Sequence, residues 1–339
     1  MKKGAIITAI ALIAAGALLF IGVLLIFGLP KPAALETKTY PAESTFTDIS
    51  IRSDEAEIRL LPSPDGTASV VCAEAKGVTH TVTVQDGTLR IDTVDNRPWH
   101  RNLFTFLKIG KQSVIVYLPE KEYRDLTIEN HTGDVDLPDG FAFRSIGVTC
   151  STGHVNCGAS ASESVTIGTS TGRIELDGVR TKALALSVTT GNILARNVSV
   201  EGAVSMRVST GKANLNGLTC RTLATDGSTG RLTLTDAVIE GLLSVKRSTG
   251  DVSLENCAAG SAEIETSTGD VRFENSDAET ITVRTTTGDV TGTLRSDKIF
   301  EVRSDTGKID VPQSAGSGRC GITTDTGNIR IEVTGAKNP

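Results

Sequence analysis

The sequence predicts an all-β protein: a parallel β-solenoid (β-helix) of about eleven rungs of 19–20 residues. It is preceded by an irregular β cap region and one N-terminal transmembrane helix. Three observations support this fold class. A Thr-Gly dipeptide recurs at a nearly constant interval, and apolar and polar residues alternate with period two on both sides of it. Aromatic residues make up only 4% of the 339 residues, too few for the thick core of a globular enzyme of this length.

The Thr-Gly repeat is the strongest of these signals, because self-similarity at a fixed period is typical of repeat architectures. The intervals between successive copies are all 19 or 20 residues. The turn glycines of the eleven copies are Gly133, Gly153, Gly172, Gly191, Gly211, Gly230, Gly250, Gly269, Gly288, Gly307 and Gly327. Each copy is therefore expected to be one structural unit of a stack.

Alignment of the copies on the glycine predicts which side chains point inward. The positions two and four after it, and five and seven before it, are mostly apolar, as in Val165, Ile167, Ile174 and Leu176 of the third copy. This alternation indicates strands with one buried face. A unit of 19–20 residues is too short for a strand and a packed helix, so the strands are expected to stack in parallel, about 4.8 Å apart. A right-handed coil is favoured.

Each unit has three predicted corners. Glycine accepts positive φ, and the Ser, Thr or Asp that usually precedes Thr-Gly can bond to the turn backbone. A second corner follows five to six residues later, as at Asp177-Gly178 and Asn216-Gly217. A third falls near Glu201-Gly202 and Glu240-Gly241. The cross-section is therefore expected to be triangular or flattened.

Residues 1–31 are predicted to form a membrane anchor. The run from Gly4 to Leu29 carries no charge, and about 20 apolar residues already span a bilayer. Lys2 and Lys3 favour a cytoplasmic N-terminus, which places the rest of the chain outside a single-pass protein in the cell membrane. The alternative is a cleaved signal peptide, although the apolar region of such a peptide is typically about 7–15 residues long.

The remaining chain divides into a β cap region, 36–120, and the solenoid domain, 121–334. The segment Gln85–Ile91 reads as a β-hairpin within the cap region. A cap is expected because an open end of the stack would invite the addition of further strands. Without Lys2 and Lys3, the formal net charge changes from −6 to −8. An acidic exterior argues against nucleic acid as a partner.

Together these features carry a resemblance to a known family. The short apolar N-terminus, the hairpin, the segment Val114–Pro119 before the first rung and the repeated Ser-Thr-Gly-Asp-Val are similar to the bacterial DUF4097 β-strand-repeat proteins, also called "putative adhesins". The resemblance covers nearly everything after residue 40. It implies a cell-envelope protein, connected in some members with envelope-stress systems. It brings no catalytic residues.

No catalytic, cofactor or metal site is predicted. Ser170 lies in a G-x-S-x-G pattern, but a nucleophile elbow needs a strand-to-helix turn and a downstream histidine, and the last histidine is His154. The four histidines lack metal-binding spacing and are expected at the surface: His80, His100, His131 and His154.

Three aspartates that follow the turn glycine, Asp251, Asp270 and Asp289, are expected to stack on consecutive rungs. They could share a hard cation, but Arg231 and Lys308 bracket them in sequence. A solvated turn edge is therefore the preferred interpretation.

Six cysteines are present: Cys72, Cys150, Cys157, Cys220, Cys257 and Cys320. Several occupy inward positions, where cysteine behaves as a small hydrophobe. Buried free thiols are expected. A disulfide between Cys150 and Cys157, which flank one turn, is the alternative.

The segment Arg97–Lys111 departs from the repeat pattern, because it combines aromatic and basic residues without an acidic one. Such a composition can contact a glycan, a lipid headgroup or another protein. The candidate binding patch consists of Arg97, Trp99, Arg101, Phe104 and Lys108. The alternative is an insertion whose aromatic residues plug the end of the rod.

The sequence thus predicts a non-enzymatic, membrane-anchored envelope protein with an adhesin-like binding or envelope-stress role. Its partner would be an unidentified envelope protein or glycan, with no nucleic acid and no small-molecule cofactor. One alternative is a polysaccharide-active β-helix enzyme, although such enzymes need clustered carboxylates. The other is a solenoid that associates with itself.

Overall fold

The computed structural model describes residues 35–42, 45–97, 112–313 and 316–334, together with three helical positions at 15, 16 and 22. The first seven strands are β1 Leu35–Pro41, β2 Asp48–Ser53, β3 Ala56–Pro62, β4 Ser69–Ala75, β5 Val78–Gln85, β6 Thr88–Asp95 and β7 Gln112–Leu118. The next ten are β8 Glu122–Thr132, β9 Val135–Leu137, β10 Ala142–Thr152, β11 Val155–Cys157, β12 Ser160–Asp177, β13 Arg180–Thr181, β14 Ala183–Arg196, β15 Ser199–Thr210, β16 Ala213–Asn216 and β17 Thr219–Thr229. The last ten are β18 Leu232–Thr235, β19 Val238–Thr249, β20 Val252–Glu255, β21 Ala258–Thr268, β22 Val271–Thr287, β23 Val290–Leu294, β24 Lys298–Thr306, β25 Ile309–Asp310, β26 Gly318–Thr326 and β27 Ile329–Val333.

The strands from β8 onward stack in parallel, one rung on the next, which confirms the predicted all-β solenoid. In a typical pair, β12 lies beside β14 with Gly172 opposite Gly191 and Ile174 opposite Ile193. The inward positions read from the sequence are buried in almost every rung. The rod has about ten turns, slightly fewer than the eleven predicted.

The corner glycines bring neighbouring backbones into direct contact. All eleven have φ between 129° and 158°, a region that L-residues rarely adopt. A Cβ on Gly211 would lie inside van der Waals contact with the carbonyl oxygen of Gly191, one rung earlier. The same relation recurs along the corner, so only a residue without a side chain fits each position.

The second predicted corner is also present, and residues with a left-handed backbone conformation form it. Six residues after the turn glycine, φ lies between 47° and 68° at Gly178, Asn197, Gly217, Asp236, Asn256 and Asn275. Gly, Asn and Asp are the residues that tolerate this conformation best. The backbone conformation of this corner therefore explains why Gly, Asn or Asp occupies it.

The third corner contains bulges that absorb the difference between 19 and 20 residues. Three of the register shifts fall between Val200 and Ala203, between Cys220 and Leu223, and between Ile239 and Leu242. Each inserts or removes one residue locally, as β-bulges do. The corner glycines therefore stay in register although the repeat length varies.

The first strands extend the stack beyond the first glycine-bearing rung. β2 and β3 pair in parallel with β8 and β9, and on their other side with β6 and β7. Three antiparallel strands cover this end: β5 pairs with β6, β4 with β7, and β1 with β4. The hairpin prediction is confirmed, with positive φ at Asp86 and Gly87. One hydrophobic core runs through both the irregular and the regular strands.

The predicted anchor, residues 1–31, lies outside the described residues apart from three positions. Among the residues that are described, no helix is long and apolar enough to cross a membrane. The anchor therefore stays a prediction.

The last two rungs stack in an order that differs from their order in the chain. β26 and β27 pair directly with β22 and β23, while β24 and β25 lie outside them. The chain therefore passes to the end of the rod and returns one rung inward. Asp289 is consequently followed in space by Asn328 and only then by Lys308.

A buried ion pair bridges this exchange. Lys298 Nζ on the outermost strand lies 2.7 Å from Asp277 Oδ1, with the Lys298 side chain only 4% exposed. The lysine crosses Gly318 of the intervening strand, where a Cβ would lie 2.8 Å from the backbone oxygen of Glu279, 2.8 Å from Lys298 Cδ and 2.9 Å from Nζ. A buried ion pair tolerates little displacement, so a side chain at position 318 would disturb the attachment of the outer rung.

We expect Gly318→Ala to loosen the outermost rung and Gly321→Ala in the same strand to leave it intact. The first substitution crowds both the Lys298 side chain and the backbone oxygen of Glu279 and should cost about 1–3 kcal/mol, whereas a Cβ at position 321 meets no atom closer than 3.9 Å. Hydrogen exchange of the amides in β24, measured on the full chain by mass spectrometry, checks this. Equal protection in both variants would contradict the proposed bridge.

Candidate binding surfaces

The insertion of the predicted patch lies in the chain between β6 and β7. In the next rung Asp54-Glu55 joins the corresponding strands β2 and β3, and in later rungs a Thr-Gly corner does so. Four of the five patch residues, Trp99, Arg101, Phe104 and Lys108, lie outside the described residues. Their role in binding therefore stays a prediction.

Arg97, the described member of the patch, is tied to two carboxylates at the base of the insertion. Its guanidinium Nη2 lies 2.6 Å from Asp95 Oδ2 and 3.2 Å from Glu55 Oε2, and its side chain is 8% exposed. The hydrogen bonds to Asp95 and the charge of Glu55 raise the pKa of Arg97. An anionic ligand would have to displace these carboxylates, so Arg97 fixes the start of the insertion rather than presenting a free charge.

An aromatic cluster that the sequence reasoning missed lies beside another corner. The ring of Tyr123 stacks 6.0 Å from Phe46 and lies 5.8 Å from Phe143, which in turn lies 6.4 Å from Phe141. Lys121 Nζ lies 4.8 Å from the ring centre of Phe46 and 4.9 Å from that of Tyr123, within reach of a cation–π interaction. The repeat could have indicated this cluster, because Tyr123 and Phe143 both stand ten residues before a turn glycine and therefore lie on neighbouring rungs.

Two rings of this cluster, Tyr123 and Phe143, line a groove of about 580 Å³ on the rod surface, a volume typical of ligand sites. We call it the arginine groove, since three arginines line it: Arg124 and Arg144 from neighbouring rungs, and Arg180 from two rungs further along. Arg124 is 59% exposed, with Nε 3.8 Å from Asp48 Oδ1. Arg144 pairs with Asp125. Guanidinium groups favour carboxylate, sulfate or phosphate ligands.

The floor of the arginine groove is neutral. The Tyr123 hydroxyl donates a hydrogen bond to the carbonyl oxygen of Pro119 at 3.0 Å, and burial raises the pKa of Tyr123 to about 12. The tyrosine therefore stays protonated at any physiological pH. Two acidic residues, Glu122 and Glu201, also line the groove, so a ligand with both an anionic and a hydroxyl-bearing part fits this lining best.

The stacked aspartates have a structural role. Asp251 Oδ1 accepts the backbone N–H of Asp270 at 3.3 Å, and Asp270 Oδ1 accepts that of Asp289 at 2.8 Å. The chain of bonds continues from Asp289 to the N–H of Asn328 at 2.7 Å. Each side chain thus satisfies an amide of the next rung. Among the described residues, no group of three or more potential ligands is arranged to hold a metal ion.

The remaining polar candidates are also placed. Ser170 lies on an exposed corner within β12, far from a strand-to-helix turn. His131 is exposed beside Asp54, at 3.3 Å. The expectation of a surface position is wrong for His80, whose ring is buried and lies 3.2 Å from Glu74, because β5 folds over the end of the rod and turns this residue inward. His100 lies outside the described residues.

All six cysteines are free and buried. The disulfide alternative between Cys150 and Cys157 is therefore not realised. Burial raises the pKa of each thiol, to about 11 for Cys150 and to about 12 for Cys72, Cys157, Cys220 and Cys320; for Cys257 burial also raises the pKa. These thiols act as small hydrophobic side chains.

The fold and its surfaces define a non-globular repeat protein whose accessible features lie on stacked, repeated corners. The family model described as Toastrack DUF4097 matches residues 46–219 and 204–338. The chain therefore belongs to the DUF4097 family, as the sequence resemblance predicted.

Several solved structures are similar to this chain along most of its length. A "putative adhesin" from Bacteroides fragilis is 14% identical, with 88% of this chain and 97% of that chain covered and a TM-score of 0.29. A "putative lipid binding protein" from Parabacteroides distasonis is 12% identical, with 89% and 100% covered and a TM-score of 0.34. A "putative cell adhesion protein" from Clostridium sporogenes is 10% identical, with 88% and 100% covered and a TM-score of 0.26. No curated protein gives a significant match.

We expect the native protein to be inert to thiol reagents. A thiol with a pKa of about 11 or 12 is almost wholly protonated at pH 8, and only the thiolate reacts. Ellman's reagent should therefore label none of the six cysteines in the folded full chain and all six in guanidinium chloride. The variant Ser170→Cys, with its thiol on an exposed corner, should add one fast-reacting group. Rapid labelling of the native wild type, or fewer than six thiols after denaturation, would contradict the assignment.

Proposed function

We propose that this protein is a membrane-anchored solenoid of the bacterial cell envelope that binds an extracytoplasmic component without catalysing a reaction. The observation that supports it best is where the chain enters the rod. β1 begins at Leu35, four residues after the predicted anchor, and it pairs with β4 in the layer that covers one end of the stack. An anchor at this position would attach the rod by its end and leave its length free for contacts.

The arginine groove supports the binding role, because three arginines lie there beside an apolar floor on a chain that is acidic as a whole. Arg124 and Arg144 pair with Asp48 and Asp125, so an anionic ligand would compete with these two carboxylates. Such a surface suits an anionic envelope polymer or an acidic protein segment. The insertion 98–111, which follows β6 in the chain, is the second candidate surface.

Two alternatives belong to other classes. A polysaccharide-active enzyme needs an acid and a base that flank the scissile bond, whereas the stacked aspartates bond to backbone amides. A self-associating solenoid is favoured by the half-buried apolar residues of the outermost rung, Phe300 and Val302.

Two pairs of substitutions separate the candidate surfaces. The full chain, solubilised in detergent, is used to capture components from envelope extracts, and the affinity for the captured component is then measured. We expect Arg144→Ala with Arg180→Ala to weaken binding about tenfold or more if the groove is the site. Trp99→Ala with Arg101→Ala should weaken binding to the same extent if the insertion is the site. Arg207→Ala, which removes an exposed arginine similarly paired with Asp226, is the control and should leave affinity unchanged.

Unchanged binding in both double variants would contradict a role for either surface. Cleavage of a cell-wall or pectic glycan by the purified chain would contradict the non-enzymatic assignment. Recovery from cells of a soluble mature chain that starts near residue 35 would contradict the anchor, and labelling of the Ser170→Cys thiol from outside intact cells would support the proposed orientation.

A further inference from the structure

The outermost rung at the C-terminal end of the rod leaves core positions uncovered. β24 and β25 pair on one side only among the described strands. Ile309, two residues after its turn glycine and thus at a position buried in the other rungs, is 46% exposed. Phe300 and Val302 stand seven and five residues before the turn glycine, at positions that are buried in most other rungs, yet here they are only half-buried. On the outward face of the same strand, Ile299 is 45% exposed. A nine-residue edge strand whose inward apolar residues are incompletely covered is a natural template for pairing with another strand.

The opposite end of the rod has a different surface. There the antiparallel strands bring together a buried carboxylate and three polar partners. Glu74 accepts hydrogen bonds from the Tyr40 hydroxyl at 3.1 Å and from the His80 amide at 2.7 Å, and its other oxygen lies 2.7 Å from Lys38 Nζ. This network is buried, and the edge strand outside it, β1, exposes Glu36, Thr37 and Thr39. Such an edge does not complement the half-buried apolar residues of β24, so this pair of surfaces does not favour head-to-tail filaments.

The edge strand complements a second copy of itself. When two β24 strands, Lys298–Thr306, pair antiparallel over all nine residues, Val302 faces Val302 of the second copy at the two-fold axis. Glu301 then faces Arg303 of the other copy, twice. In this register, two residues that face each other are either both even-numbered or both odd-numbered. Because side chains alternate between the two faces of a strand, inward residues of one copy lie opposite inward residues of the other.

The backbone geometry fits the same register. In a parallel ladder alternate residues direct their amide and carbonyl groups to the neighbour. The carbonyl oxygen of Thr306 accepts the Gly327 amide at 3.0 Å on the inner side, which assigns even-numbered residues of β24 to the inner edge. The odd-numbered residues, Glu301 and Arg303 among them, therefore direct their backbone groups to the open edge. A pair of oppositely charged residues facing each other across strands adds to such a contact.

We propose that two copies of this chain join at their C-terminal ends through antiparallel pairing of β24, around a two-fold axis at Val302. The contact buries Phe300 and Val302 of both copies and closes the core of both rods. It is isologous, so it stops at a dimer. If the anchor proposed above is correct, the two anchors lie at opposite ends of the joined rods, and the dimer connects two membranes.

A charge exchange tests the pairing. The full chain in detergent is studied by analytical ultracentrifugation over a range of concentrations. Glu301→Arg places two arginine pairs at the contact, and Arg303→Glu places two glutamate pairs there, so each should weaken dimerisation at least about tenfold. The double variant restores opposite charges and should dimerise like the wild type. A mixture of the two single variants should form a heterodimer in which every facing pair is opposite in charge.

Glu263→Arg is the matched control, since Glu263 occupies the same exposed position of an inner rung, six residues before its glycine. It should leave the dimer unchanged. A monomeric wild type up to about 100 μM, a single charge variant that dimerises normally, or a mixture that stays monomeric would each overturn the proposal.

A second measurement separates this proposal from that of the anchor. Full chains are placed one per lipid nanodisc, and particles are examined by electron microscopy. Two discs joined through a pair of rods are expected. Dimers in detergent that do not join discs would contradict the membrane-connecting geometry, whereas dimers of a chain that fails to enter discs would refute the anchor and leave the pairing intact.

Discussion

The close approach of backbones at the glycine corner is the constraint on which the rest of the rod depends. Each corner carbonyl occupies the space that a Cβ of the next corner would need, as between Gly191 and Gly211. This contact fixes where each rung sits on its neighbour, so that the strands on both sides share one register. Identical positions then stack on one another, and slim aliphatic residues suffice to fill the core. The scarcity of aromatic residues follows from this geometry.

The same register organises the surface. An aspartate or asparagine after the glycine accepts an amide of the next rung, which gives this polar edge a structural role. Residues of several rungs also share one surface groove, as Arg124, Arg144 and Arg180 do in the arginine groove. The two ends of the rod break the pattern in opposite ways, with a polar cluster around Glu74 at one end and an apolar edge around Val302 at the other. Contacts with partners are therefore expected at corners and ends.

Much of the fold could be predicted from the sequence because the glycine spacing is a local signal repeated eleven times. The corners and the hairpin could be predicted for the same reason, because residues adjacent in the sequence form each of them. The exchange of the last two rungs could not be predicted, because it depends on the contact of Lys298 with Asp277 across Gly318. The aromatic cluster was missed since Phe46 lies far from Tyr123 in the chain, and the burial of His80 depends on strands folding over the rod end. The patch around Trp99 remains a prediction from composition.

The stability of a corner variant tests the central claim most directly. Gly211 and Gly178 both have positive φ, at 141° and 67°, but only Gly211 has a neighbouring carbonyl where a Cβ would lie. The hydrogen-exchange protection of β14 and β15 is measured in the full chain with each glycine replaced by alanine. The account predicts a loss of about 3–5 kcal/mol for Gly211→Ala, from strain and overpacking together, and about 1 kcal/mol for Gly178→Ala. Equal losses at the two positions would contradict it.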